Sequence, residues 1–127
     1  MNTSQPGNLI KGTVQDVTSD AIPYLKIVAD SPRWSMNLGL VQQDIFDVKL
    51  DMSSENKIYF GLVKRAKIGN NPGDFYAGEL NYNNKKYQIQ IYVERLPCSD
   101  NGHQSHNARI TMLKEEKEYY ACGDFLN

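Results

Sequence analysis

The amino-acid sequence predicts an all-β fold, either a small antiparallel β-barrel or a strongly curved sandwich of about eight strands with one disulfide. Two observations carry this prediction. Short runs in which apolar and polar residues alternate are separated by turn-forming residues at hairpin spacing. Tyrosine is the commonest aromatic residue, with eight copies against four phenylalanines and one tryptophan, and it suits the half-solvated face of a sheet. The 127 residues fit one domain.

The first half of the chain is predicted to form a series of short strands. They cover residues 9–17, 24–29, 34–40, 45–50 and 57–65. The segments between them are rich in Pro, Asp, Ser and Asn, which favour turns. In the last of these strands Ile58, Phe60 and Leu62 share one face, because side chains alternate along a strand. The only helix expected is a short turn near residues 41–44.

The clearest element is a hairpin in the second half of the chain. Residues 86–94 alternate between polar and largely apolar positions, with the apolar ones on one face. Asn83 and Asn84, just before them, are a tight-turn signal, because asparagine tolerates positive φ better than most residues. A two-residue turn there pairs Leu80 with Tyr87, Gly78 with Ile89, and Tyr76 with Ile91. This register sets apolar residues against apolar residues, so the hairpin is self-consistent.

A second hairpin is predicted near the C-terminal end. Strands at residues 108–113 and 117–122 flank a charged segment of lysine and glutamate. A turn in that segment pairs Met112 with Tyr119 and Ile110 with Ala121, and brings Arg109 near Cys122. The charged segment is also compatible with a helical turn. The tyrosines that follow it favour a strand.

Cys98 and Cys122 are the only cysteines, and they admit three interpretations. Each stands at a strand end in polar surroundings, where a structural disulfide forms easily. The second interpretation adds His103 and His106 to two thiolates as a zinc site, although the spacing matches no common finger. The third makes Cys98 a nucleophile with a nearby histidine as base, but the local sequence offers no helix N-terminus or oxyanion site. We favour the disulfide and predict no catalytic residue, no metal and no cofactor.

Charge and hydropathy narrow the class of protein. The 14 basic and 15 acidic residues nearly balance, so no basic field is available to attract nucleic acid. No apolar run approaches the roughly 20 residues that a membrane-spanning helix needs. Residues 1–8 are polar and carry no export signal, so the chain is either cytosolic or a mature exported form. The cysteines favour export, with residues 1–8 as a flexible tether of the kind that follows a lipid anchor and residues 9–127 as a single β domain.

Three short stretches carry a resemblance to a known group of proteins. They are Pro32-Arg33-Trp34-Ser35, Pro97-Cys98-Ser99-Asp100 and Cys122-Gly123. In this order they are similar to the Pro-x-Trp-Ser, Cys-x-Asp and C-terminal Cys-Gly motifs of a family of small bacterial envelope proteins of unknown function. Members of that family are often predicted to be lipoproteins or periplasmic domains. The resemblance implies export, a β fold and a bridge between the two cysteines, but no particular activity.

The polar loop from Ser99 to Asn107 is the first place where we expect binding. The candidate binding residues are Asp100, His103, His106, Tyr119 and Trp34. Several have a structural alternative. Asp100 suits an Asx-turn at the start of the loop, and Trp34 suits a core anchor behind its Pro-containing turn. The tyrosines, among them Tyr119, either pack singly across strands or gather on one exposed face beside the loop.

These features predict an exported, monomeric, non-enzymatic binding module. Its expected partner is an envelope protein or a polysaccharide, and a small barrel that inhibits lysozyme-like hydrolases is one concrete analogy. Contact with a membrane is expected only through a lipid anchor. One alternative is a lipocalin-like carrier, which requires a hollow barrel that holds an apolar ligand. The other alternative is a metal protein that uses the cysteines and histidines.

Overall fold

The computed structural model describes residues 21–30, 32–67 and 73–126, and these form a closed antiparallel barrel of eight strands. The predicted all-β barrel is therefore confirmed. Its first strand among the described residues begins at Ile22. The predicted tether at residues 1–8 and the predicted strand at residues 9–17 lie outside the described residues.

Each barrel strand pairs with its neighbours in chain order, and the first pairs with the last to close the ring. The barrel strands are β1 (Ile22–Asp30), β2 (Arg33–Gln42), β3 (Ile45–Met52), β4 (Lys57–Lys67), β5 (Gly73–Tyr82), β6 (Lys85–Glu94), β9 (Ala108–Lys114) and β10 (Lys117–Phe125). Two short strands, β7 (Cys98–Ser99) and β8 (Ser105–His106), pair with each other in the connection between β6 and β9. That connection is the one long excursion from the barrel within the described residues.

Both predicted hairpins have the expected register. Asn83 and Asn84 have φ angles of 54° and 64°, as a two-residue hairpin turn requires, and β5 pairs with β6 in the predicted register. Glu115 and Glu116 adopt similar positive angles of 54° and 67° between β9 and β10. Residues other than Gly, Asn and Asp rarely adopt this conformation, so the packing of the two strands holds this turn in place. The β9–β10 register is also as predicted.

The helical turn predicted near residues 41–44 is wrong. Strand β2 continues through Gln42 and β3 begins at Ile45, so the connection is a tight turn in which Asp44 has a φ of 62°. Pairing with β3 extends β2 to this point, and strand hydrogen bonds replace those of a helical turn. Within the described residues the one helical turn is a 3₁₀ turn at Ser53–Glu55.

Strand β4 carries large apolar or aromatic residues on both faces, and close approach of β5 decides which face turns inward. A Cβ atom on Gly61 would lie 2.0 Å from the carbonyl oxygen of Glu79, so only glycine fits there. Tyr59 shares this face and is 1% exposed. The face that holds Ile58 and Leu62 is the outer one, where they are 42% and 40% exposed.

The interior of the barrel is filled by side chains. The largest of them are Trp34, Tyr59, Tyr76 and Phe46, each at most 1% exposed. Because a space large enough for water would expose the side chains around it, these four leave no such space beside them. This packing disfavours the apolar-ligand carrier. No helix in residues 21–30, 32–67 or 73–126 is long and apolar enough to cross a membrane.

Candidate functional site

The connection between β6 and β9 folds back against the outer face of β10, and a disulfide fixes it there. Cys98 and Cys122 are bonded, with Cα atoms 5.6 Å apart and a sequence separation of 24. The predicted disulfide is confirmed. Because both sulfur atoms are in this bond, neither is a thiolate that could bind zinc or attack a substrate. We call residues 98–106 the clipped loop.

His106 adds an electrostatic link between the clipped loop and the barrel. Its Nε2 lies 2.7 Å from Oδ2 of Asp100 in the loop, and its Nδ1 lies 2.7 Å from Oδ2 of Asp124 on β10. Both ring nitrogens can donate only in the protonated imidazole. Hydrogen bonds to Asp100 and then to Asp124 raise the pKa of His106 above its ordinary value. The side chain is 18% exposed and lies between the clipped loop and the barrel wall.

Asp100 organises the clipped loop from within. Its Oδ1 accepts hydrogen bonds from the backbone N–H groups of Gly102 at 2.8 Å and Gln104 at 2.9 Å, which form the predicted Asx-turn. Its Oδ2 faces the His106 ring. The hydrogen bond from His106, followed by the one from Gln104, lowers the pKa of Asp100 below its usual value. The carboxylate therefore fixes both the shape of the loop and the position of the histidine.

Asn107, the residue directly after the clipped loop, ties the end of that loop to the last strand. Its Oδ1 accepts a hydrogen bond of 3.0 Å from the backbone N–H of Phe125. Its own backbone N–H donates to Oδ1 of Asp124 at 3.4 Å. The loop is consequently held to β10 by a covalent bond, an ionic contact and a backbone contact, spread over its length.

A groove of about 310 Å³ separates the clipped loop from the barrel wall. The loop contributes residues 98–101 to it, and the wall contributes outward side chains of β1, β9 and β10. Val28 and Tyr120 on the wall are 48% and 67% exposed. Arg109 on β9 adds an exposed positive charge. The groove thus combines an aromatic ring, an aliphatic side chain and a guanidinium group next to a fixed loop.

The structure brings together only part of the predicted binding set. Asp100 and His106 are in contact, and His103 lies in the same loop with an exposed side chain and a φ of 66°. Trp34 and Tyr119 point into the barrel interior, with ring centroids 6.1 Å apart in an edge-to-face arrangement. They are 1% and 7% exposed, so these two side chains pack in the barrel interior and do not border the groove. Trp34 is the core anchor that its position after a turn indicated.

Of the two alternatives for the tyrosines, most of them follow packing within the barrel rather than an exposed face. Tyr59 and Tyr119 are buried, and Tyr59 packs against Tyr82 and Tyr87 with ring centroids 5.2 and 5.3 Å apart. Only Tyr120 borders the groove beside the clipped loop. The alternation along β10 explains this, because Tyr119 faces inward and the residue that follows it must face outward.

The sequence did not single out Asp124, which completes the histidine site. A signal was present, since Asp124 stands two residues after Cys122 and therefore on the same face of the strand. A residue on that face would meet whatever loop Cys98 brings to Cys122. Among the described residues no group of three or more His, Cys, Asp or Glu side chains is arranged to hold a metal ion.

Comparisons of the chain with protein-family models, with curated proteins and with solved structures found no match. The function of the site must therefore be inferred from its own geometry.

Proposed function

We propose that this chain is a non-enzymatic binding module that holds a protein partner in the groove beside the clipped loop. The observation that carries the proposal is the threefold attachment of an exposed loop, by Cys98, by His106 and by Asn107. A loop that is already fixed loses little conformational entropy when it binds, so more of its contact energy becomes affinity.

The composition of the groove supports a protein as the partner. Tyrosine and arginine are enriched at the energetic centres of protein interfaces, and Tyr120 and Arg109 both line this groove. Tyr120 exposes a large ring at a low cost in entropy, while the neighbouring Val28 adds aliphatic area. The partner we expect therefore presents an apolar side chain and a carboxylate to this wall.

The histidine site is better suited to structure than to catalysis. A general base needs a ring nitrogen that can reach a substrate proton. Both nitrogens of His106 are taken by Asp100 and Asp124 at 2.7 Å. The raised pKa favours the protonated ring, which supports an ionic link over proton abstraction. We therefore propose that the site is not an active site.

The proposed place of action is the bacterial envelope. Disulfides persist in oxidising compartments and are rare in the cytosol of mesophiles, so the bond between Cys98 and Cys122 suits a non-reducing environment. The resemblance of the Pro-x-Trp-Ser, Cys-x-Asp and Cys-Gly motifs to envelope proteins supports a periplasmic or lipid-anchored form. We propose membership of that family on those motifs.

The test is capture by matched variants. Oxidised, biotinylated wild type, Tyr120→Ala, Arg109→Ala and Leu62→Ala would be exposed to a bacterial envelope protein fraction and to lysozyme. Leu62 is the control, because it is an exposed apolar residue on the outer face of β4. We expect one protein to be retained by wild type and by the control. Truncating a side chain at the energetic centre of an interface costs about 2 kcal/mol, or about 30-fold in affinity. The Tyr120→Ala and Arg109→Ala variants should therefore fail to retain that protein.

Two outcomes would count against this proposal. Equal retention by all four proteins would mean that the groove does not bind. Retention of insoluble cell-wall polysaccharide that depends on Tyr120, with no protein retained, would replace a protein partner by a sugar polymer.

A further inference from the structure

A second groove lies on a different wall of the barrel and is independent of the clipped loop. It has a volume of about 380 Å³, within the range of small-molecule sites. Its floor is the outer face of β2 and β3, where Gly39 pairs with Asp47. Leu126, which donates its backbone N–H to the carbonyl oxygen of Tyr24 at 2.9 Å, forms one side. We call it the Asp47 groove.

Asp47 has one unpaired acceptor oxygen at the floor of this groove. The residue is 7% exposed, and its Oδ2 is buried without a hydrogen-bond partner. The carboxylate does receive a hydrogen bond from the backbone N–H of Gly39. Burial outweighs that hydrogen bond and raises the pKa of Asp47. A buried carboxylate oxygen without a donor is costly, so its presence indicates a role that folding alone does not provide.

The residue opposite Asp47 is fitted to the carboxylate. A Cβ atom on Gly39 would lie 2.7 Å from Oδ1 of Asp47 and 2.8 Å from the Cβ of Ala21. Any other residue at position 39 would displace the carboxylate or close the groove. The backbone of β2 thus leaves room for the acceptor and donates one hydrogen bond to it, while the second oxygen is buried and has no protein donor.

Lys49 supplies a charge of opposite sign on the same face. It stands two residues after Asp47, so the two Cα atoms are about 7 Å apart along the strand. Lys49 lines the groove with an exposed side chain. Among the ion pairs of the described residues, none includes Lys49 or Asp47. The Asp47 carboxylate at the floor and the Lys49 ammonium group at the rim are complementary to the ammonium and carboxylate groups of a zwitterion.

Apolar groups complete the groove. Pro23, Phe60 and Leu126 border it, and they offer an aliphatic and aromatic surface next to the two charges. We propose that the Asp47 groove binds a free apolar α-amino acid, whose ammonium group donates to Asp47 and whose carboxylate faces Lys49. The apolar side chain then lies against Pro23, Phe60 and Leu126. This site takes a small ligand and adds to the partner groove beside the clipped loop.

Calorimetric titration with three related probes tests the assignment of each charge. The probes are L-leucine, leucinamide, which lacks the carboxylate, and N-acetyl-leucine, which lacks the ammonium group. Leucine should bind at millimolar concentration or below, with the largest amide shift in nitrogen–proton correlation spectra at Gly39. Each modified probe loses a charge-assisted contact and should bind wild type at least about tenfold more weakly.

Variants of the two charged residues give a second, independent readout. Asp47→Asn should weaken leucine binding at least about tenfold, and Lys49→Met should bind leucine and leucinamide equally. Lys86→Met, on the outer face of β6, is the matched control and should bind as wild type does. Tyr120→Ala should also bind leucine normally, so that failure of this site and failure of the partner groove can be told apart. Absence of leucine binding, or full binding by Asp47→Asn, would overturn the proposal.

Discussion

The wall that carries the clipped loop and the wall that carries the Asp47 groove differ in how their charged groups are satisfied. His106 meets a carboxylate at each ring nitrogen, and Asp100 receives three hydrogen bonds. On the other wall Oδ2 of Asp47 has no partner, and Lys49 makes no ion pair among the described residues. A satisfied polar network fixes structure, whereas an unsatisfied one costs stability and is available to a ligand.

The two walls also shift the pKa of the same residue type in opposite directions. Hydrogen bonds, first from His106, stabilise the charged form of Asp100 and lower its pKa. Burial destabilises the charged form of Asp47 and raises its pKa. The environment of each aspartate therefore decides whether a fall in pH lowers or raises its contribution to the free energy of unfolding. Three changes to the protein test this difference.

The largest effect should come from the Cys98→Ser, Cys122→Ser double variant. A disulfide that spans 24 residues restricts the unfolded chain, and its loss should lower the free energy of unfolding by about 3 kcal/mol. Urea unfolding followed by circular dichroism measures this loss. Amide hydrogen exchange should show faster opening in the clipped loop than in β3. Wild type in reducing buffer is the control and should match the variant. An unchanged urea midpoint would show that the ionic contacts alone hold the loop.

A smaller and pH-dependent effect is expected for His106→Gln. A charged hydrogen-bonded group that is partly solvated contributes about 1 kcal/mol after screening. The pKa of His106 is raised, so its contribution is complete below the unfolded value of about 6.5 and is lost as pH rises through the folded pKa. The pKa of Asp100 is lowered, so its contribution is present above about 3.9 and is lost as pH falls through the folded pKa.

The stability difference between wild type and His106→Gln should therefore be largest between about pH 4 and pH 6.5 and should shrink on both sides. Urea unfolding across this range measures it. His103→Gln, in the same loop with an exposed side chain, is the matched control. A difference that stays constant with pH would mean that packing, and not charge, explains the role of His106.

The sequence predicted the parts of the barrel that local chemistry controls. Asn83 and Asn84 specify a two-residue turn, and that turn determines every pair between β5 and β6. The polar surroundings of Cys98 and Cys122 predicted the bridge, although β10 continues past Cys122 to Phe125. In each case the residues themselves and their immediate sequence surroundings were sufficient to predict the feature. The histidine site was half predicted, because Asp100 lies near His106 in sequence while Asp124 comes from another strand.

The features that the sequence missed depend on contacts between strands that are distant in the chain. Strand β4 has apolar residues on both faces, and only the approach of β5 to Gly61 shows that Ile58 faces solvent. Trp34 and Tyr119 were grouped with the loop because the sequence did not show that their side chains face the barrel interior. Asp47 was unremarkable in the sequence, since its burial depends on a glycine opposite it in β2.

The smallest effect, and the one of opposite sign, is expected for Asp47→Asn. A neutral amide is less costly to bury than an unpaired carboxylate, so the variant should be about 0.5 kcal/mol more stable than wild type at neutral pH. Because the pKa of Asp47 is raised, the folded protein binds the proton more tightly than the unfolded chain does. Wild type should therefore gain stability relative to the variant as pH falls through the folded pKa toward about 3.9.

Urea unfolding at neutral and acidic pH measures the difference in the free energy of unfolding between wild type and Asp47→Asn. Asp30→Asn, at an exposed position, is the matched control. Saturating L-leucine should reverse the order at neutral pH, because a ligand that binds only the folded wild type stabilises it by mass action. A variant that is less stable than wild type without leucine would mean that Asp47 is a structural acceptor. If the variant is more stable than wild type without leucine and less stable with it, the buried charge of Asp47 lowers the stability of the free protein and is compensated when the ligand binds.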